Sequence, residues 1–112
     1  MELSTPIHVC DAGDVPRGEG IRIARDDLPE PIAVFNDDGQ FFALSDTCSH
    51  GQSSLADGEI VNSQIECALH WARFDLKTGD VCALPALLPV TSYPVTVDGD
   101  RVLLSISTEG DE

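Results

Sequence analysis

Cys48-Ser49-His50 and, sixteen residues later, Cys67-Ala68-Leu69-His70 are the two segments on which the reading of this chain turns. Each brings one thiol and one imidazole. A soft sulfur ligand beside a borderline nitrogen ligand suits zinc or an iron–sulfur cluster, whereas calcium and magnesium want oxygen ligands. A structural zinc site usually pairs like with like, as Cys-x-x-Cys followed by His-x-x-x-His. Both arms of this chain are mixed, a tight Cys-x-His first and a looser Cys-x-x-His second. That order suits a [2Fe–2S] centre in which two Cys hold one iron and two His hold the other. On the four candidate ligands alone, zinc stays open as the alternative.

Outside those arms, length and charge bound the reading. At 112 residues the chain is expected to form one domain over 1–112, large enough for a core without disulfide staples. Six Lys and Arg stand against 20 Asp and Glu, for a formal charge of -14. The net charge of an oxidised [2Fe–2S] core is cancelled by two ligand thiolates, so a holoprotein would stay near -14 and become more negative with one electron. Such a surface repels nucleic acid and anionic membranes and favours a partner with a basic face. Solubility alone is the plainer account of an acidic balance.

The opening Met1-Glu2-Leu3-Ser4-Thr5-Pro6 has neither the basic nor the apolar region of a secretory signal. No apolar run approaches the roughly 20 residues a membrane span needs. The cytoplasm is therefore the expected location, and there the remaining cysteines, Cys10 and Cys82, are expected as free, buried thiols.

Short strands and turns are expected throughout, with little helix. The alternation predicts strands over 7–10, 21–24, 32–35 and 40–44, the last two joined by a hairpin turn at Asn36-Asp37-Asp38-Gly39. Segments 59–61 and 64–67 read as a hairpin about Asn62-Ser63, and 73–76 with 80–82 as another across Lys77-Thr78-Gly79. The apolar segment 84–89 is bounded by prolines and reads as an ordered loop. Strands over 90–97 and 101–106 follow, joined by Asp98-Gly99-Asp100, and 108–112 reads as a frayed acidic tail. The fold class is all-β: a small antiparallel β-sandwich or barrel-like core with a metal-binding lobe inserted over about 46–89.

Several flanking segments extend the pattern: Gly51 after the first arm, Leu55 with Asp57-Gly58-Glu59, Glu66 before the second arm, and Phe74-Asp75-Leu76-Lys77-Thr78-Gly79 after it. Ala83-Leu84-Pro85-Ala86 and Tyr93-Pro94-Val95 continue it downstream. With these, the chain resembles the Rieske-type ferredoxins of bacterial aromatic-ring dioxygenase systems (biphenyl, naphthalene and carbazole dioxygenases among them). The likeness runs over about 7–107 and leaves little room for zinc. One departure is Trp71, where many relatives carry Gly after the second His.

The resemblance implies a Rieske fold and one low-potential Rieske [2Fe–2S] cluster per chain, with Cys48, His50, Cys67 and His70 as ligands. It implies a soluble monomeric carrier, itself no enzyme, that takes one electron from a flavin-dependent ferredoxin reductase. The electron then passes to a terminal oxygenase that hydroxylates an aromatic ring. It also implies that the outer ring edges of His50 and His70 lie near the surface and that loop 84–89 covers the cluster. High-potential relatives carry an extra Cys in each ligand loop, joined as a disulfide, and hydroxyl donors after the second His; the matching positions are Ser53, Leu69, Ala72 and Phe74. The rival within the same fold is the small subunit of assimilatory nitrite reductases, an interaction module in which ligands are often missing.

Overall fold

The computed structural model describes residues 4–47, 54–67, 73–83 and 90–107. Cys48, His50 and His70, loop 84–89 and tail 108–112 lie outside the described residues. Within them the chain runs β1 (Ser4–Asp11), β2 (Gly20–Ile23), β3 (Ile32–Asp37), β4 (Gln40–Ser45), β5 (Glu59–Val61), β6 (Gln64–Glu66), β7 (Arg73–Asp75), β8 (Val81–Ala83), β9 (Ser92–Tyr93), β10 (Val95–Asp98) and β11 (Arg101–Ser107). Two 3-10 turns, Ala12–Asp14 and Leu55–Asp57, are the described helical pieces. The strands form three antiparallel sheets, ordered β1-β11-β10, β2-β3-β4-β9 and β5-β6-β7-β8.

The pattern of β3 explains how these sheets stack. Its residues Ile32, Ala33, Val34, Phe35 and Asn36 are all buried, without the alternation of a strand wetted on one face. Ile32 and Val34 join Val9, Cys10, Val102 and Leu104 in one core cluster, between this sheet and β1-β11-β10. Ala33 and Phe35 point the other way and join Leu44, Leu55, Ile65, Cys67, Phe74 and Leu76 in a second cluster. The β2-β3-β4-β9 sheet is thus a middle layer, with the strand core on one face and the β5-to-β8 lobe on the other.

Turn chemistry sets the registers. Asp38 (φ 55°) and Gly39 (φ 96°) both take positive φ between Asp37 and Gln40, the two-residue hairpin loop whose twist matches its strands. Asn62 (φ 51°) and Ser63 (φ 62°) do the same between β5 and β6.

Two expectations need correcting. The strand expected over 90–97 is two strands: β9 pairs with β4, and β10 pairs with β11 in a different sheet. Pro94 separates them; it has no N–H for a ladder, and its carbonyl instead accepts the Ser105 amide at 3.0 Å. Cys10 is buried as expected, but Cys82 is exposed.

Candidate metal centre

Of the four expected ligands, Cys67 lies within the described residues. It follows β6 directly, is fully buried, and packs in the cluster with Leu55, Ile65, Phe74 and Leu76. For Cys48, His50 and His70 the structure describes the stems from which their loops depart.

The first stem is an antiparallel bridge between Thr47 and Ser54, just past the end of β4, which brings together the two residues that flank 48–53. The second is the pairing of Glu66 with Arg73, which closes 67–72 between β6 and β7. Arg73 Nε also donates to Glu66 Oε2 at 3.1 Å.

The two stems lie side by side. Gly58 follows the 3-10 turn beyond the first loop, and a Cβ there would collide with the Glu66 carbonyl at the base of the second. Its φ of -83° is ordinary, so space and not conformation demands glycine. Leu55, just past the first loop, shares its buried cluster with Cys67, which opens the second. The stems on either side of both pairs of candidate ligands therefore lie in one small region on the outer face of the middle sheet.

Asp46 was not legible as a site residue in the sequence, yet it organises the first stem. Its side chain is 3 % exposed. One carboxylate oxygen accepts from Ser54 Oγ at 2.7 Å and the Ala56 amide at 3.0 Å. The other accepts from Arg22 Nε on β2 at 3.1 Å. A third clamp closes beyond the lobe, where the Val90 amide donates to the Gly79 carbonyl at 2.9 Å and so joins the two sides of 84–89.

Two thiols and two imidazoles in the sequence between these adjacent stems are a donor set for a [2Fe–2S] cluster, and the buried Cys67 backed by apolar side chains suits a ligand shielded from water. The profile of the Rieske [2Fe-2S] domain matches residues 5–94. The chain belongs to the Rieske [2Fe–2S] family. Its cofactor is accordingly a Rieske-type cluster.

This Rieske chain is 43% identical over 98 residues to the ferredoxin component of biphenyl 2,3-dioxygenase from Rhodococcus jostii, covering 88% of this chain and 90% of that protein. Among solved structures, the Sphingomonas yanoikuyae B1 ferredoxin superposes with a TM-score of 0.84 at 31% identity, over 91% of this chain and 99% of that one. A complex of reduced oxygenase and oxidised ferredoxin in carbazole 1,9a-dioxygenase includes a chain 33% identical, with a TM-score of 0.81, over 89% of this chain and 92% of that one. A chain from Mycobacterium tuberculosis described as a "putative NADH-dependent nitrite reductase small subunit" matches at a TM-score of 0.77 but 18% identity, over 95% of this chain and 96% of that one, a likeness of fold alone.

Proposed function

We infer that this Rieske chain is an electron carrier of a multicomponent aromatic-ring dioxygenase. It accepts single electrons from a flavin-dependent ferredoxin reductase and delivers them to the terminal oxygenase. The observation that carries this reading is 43% identity to a dioxygenase ferredoxin component along nearly the full length of both chains. The nitrite reductase alternative has only the fold in common. The four ligand-type residues are all present, which argues for a redox role over a purely structural one.

Cys48 and Cys67 would hold one iron, and neutral His50 and His70 the other. The cluster supplies a one-electron couple when bound. This chain's own residues hold and shield it. Leu55, Ile65, Phe74 and Leu76 back Cys67 with apolar surface and keep water from that side. The lobe over about 46–89 is this holder, and the rest of the single domain over 1–112 is its scaffold.

None of the described helices is long and apolar enough to cross a membrane. The place we propose for this chain is the cytoplasm, where thiols such as Cys10 and Cys82 stay reduced.

The charge of -14 brings a basic partner face to the carrier. Association should be transient and steered by charge. Stopped-flow electron transfer from a flavoprotein reductase, and onward to the oxygenase, should slow as ionic strength rises, because attraction is screened over about 8 Å at physiological salt. No transfer to either protein at any salt would overturn the carrier reading; a rate flat across the series would remove the steering.

A further inference from the structure

A carboxylate as buried as Asp46 is costly unless its lone pairs are met. Its cation, Arg22, has a side chain 53 % exposed, so the ion pair by itself is a weak reason to keep a charge there. The arrangement of its other partners is more telling. Ser54 Oγ and the Ala56 amide converge on one oxygen, from the far side of the loop that holds Cys48 and His50. Asp46 also uses its backbone: its carbonyl accepts the Leu55 amide at 2.6 Å, and its amide donates to the Pro31 carbonyl at 3.0 Å. With the Thr47–Ser54 bridge next door, one residue ties both ends of loop 48–53 to each other and to the middle sheet.

We propose that Asp46 is the positioning residue for the first pair of candidate ligands, its buried carboxylate holding Ser54 and Ala56 and so fixing the two ends between which Cys48 and His50 stand in the chain. The proposal rests on the assignment of Cys48 and His50 as ligands. The two oxygens divide the work. The one bonded to Ser54 and Ala56 closes the loop. The one bonded to Arg22 fastens the closed loop to β2.

This division separates positioning from mere stability. Asp46→Asn can keep the acceptor for Ser54 and Ala56 but turns an amide toward Arg22. The holoprotein should melt lower while its cluster signature stays wild-type. Asp46→Ala removes both functions. Iron loss to bathophenanthroline disulfonate, at a temperature where the fold is intact, should then accelerate on the order of tenfold, the scale on which partners of metal ligands act. The electron paramagnetic resonance g values of the reduced protein should shift as well. Ser54→Ala, a milder change should Asp46→Ala fail to fold, should move both readouts in the same direction by less.

Asp46→Ala or Ser54→Ala with a lower melting point but wild-type g values and iron-loss rate would overturn the proposal. Cys48→Ala serves as the control on the ligand assignment. If it keeps a normal cluster, that assignment fails; if it loses the cluster while Asp46→Ala behaves as wild type, only the positioning role fails.

Discussion

Glu66 and Arg73 face each other across β6 and β7, Arg73 Nε donating to Glu66 Oε2 at 3.1 Å, and the chain between them is the loop that carries Cys67 and His70. Their side chains are 21% and 39% exposed, so water screens the pair. Arg73→Gln is therefore expected to cost only about 0.5–1 kcal/mol of holoprotein stability. Thermal melts at low and high salt check this. The gap between variant and wild type should narrow as salt rises. A gap unchanged in high salt would assign the effect to packing of the arginine stem instead.

Gly79 has φ +81°, and a Cβ there would strike the Val90 carbonyl. Gly39 has a similar φ of +96° with nothing within reach of a Cβ. The pair separates two costs. Gly39→Ala should lose about 1–2 kcal/mol for the left-handed conformation alone. Gly79→Ala should lose more, because the carbonyl must move and the Val90 amide to Gly79 carbonyl bond moves with it. Urea unfolding of the two variants measures the difference. Equal losses would mean that the contact beside loop 84–89 has slack.

How much of this was legible in the sequence follows from the range of the forces. Local turn chemistry was readable: Asp38-Gly39 and Asn62-Ser63 announce two-residue hairpins, and both take positive φ. The unbroken apolar run of β3 showed a strand but not its setting, because burial on both faces depends on a lobe that arrives later in the chain. The change of sheets at Pro94 was hidden for a similar reason. The flanking residues all favour strand, and only pairing shows that they serve different sheets. Asp46 was the hardest case. Among 20 acidic residues, one buried acid has no local mark, and its donors come from positions 22, 54 and 56. The four candidate ligands stood out in the sequence because thiol and imidazole in mixed arms serve few chemistries, and of the four Cys67 lies within the described residues.

Cys10 makes a prediction in alkaline solution. Burial, with Asp14 and Asp11 adding to it, pushes its thiol up to about 11 from an ordinary value of 9.0. The unfolded chain therefore releases this proton first as pH rises. The contribution of the neutral thiol is complete below about pH 9 and is lost between there and pH 11. Over that window the Cys10→Ala difference in stability should change by at most about 1.4 kcal/mol per pH unit. Denaturant melts from pH 8 to 11 test the slope, with Lys77 and Tyr93 common to both proteins. An identical slope in Cys10→Ala would show that the native thiol titrates like the unfolded one. Alkylation offers a second check, since Cys10 should react with iodoacetamide far more slowly than the exposed Cys82.

The last prediction is the reduction potential, and it turns on Phe74. Phe74 is fully buried, pairs with Ile65 across β6 and β7, and shares a cluster with Cys67. High-potential Rieske proteins place a tyrosine at the matching position and a serine at that of Ala72, and their hydroxyls donate to sulfur. Phe74 and Ala72 have no hydroxyl to give. Hydrogen bonds to the sulfurs stabilise the reduced, more negative cluster, so without them the potential falls. The carboxylates behind the -14 charge push the same way, weakened by solvent screening. A value near the bottom of the Rieske range, about -150 mV, is expected. Phe74→Tyr tests the cause. A hydroxyl that reaches a sulfur should raise the potential at little cost in stability, whereas one left unpaired in this apolar site should cost about 1–3 kcal/mol and leave the potential unchanged. Protein-film voltammetry and denaturant melts on the same two proteins separate these outcomes. A wild-type potential above zero would overturn the low-potential assignment and, with it, the place of this chain before a dioxygenase.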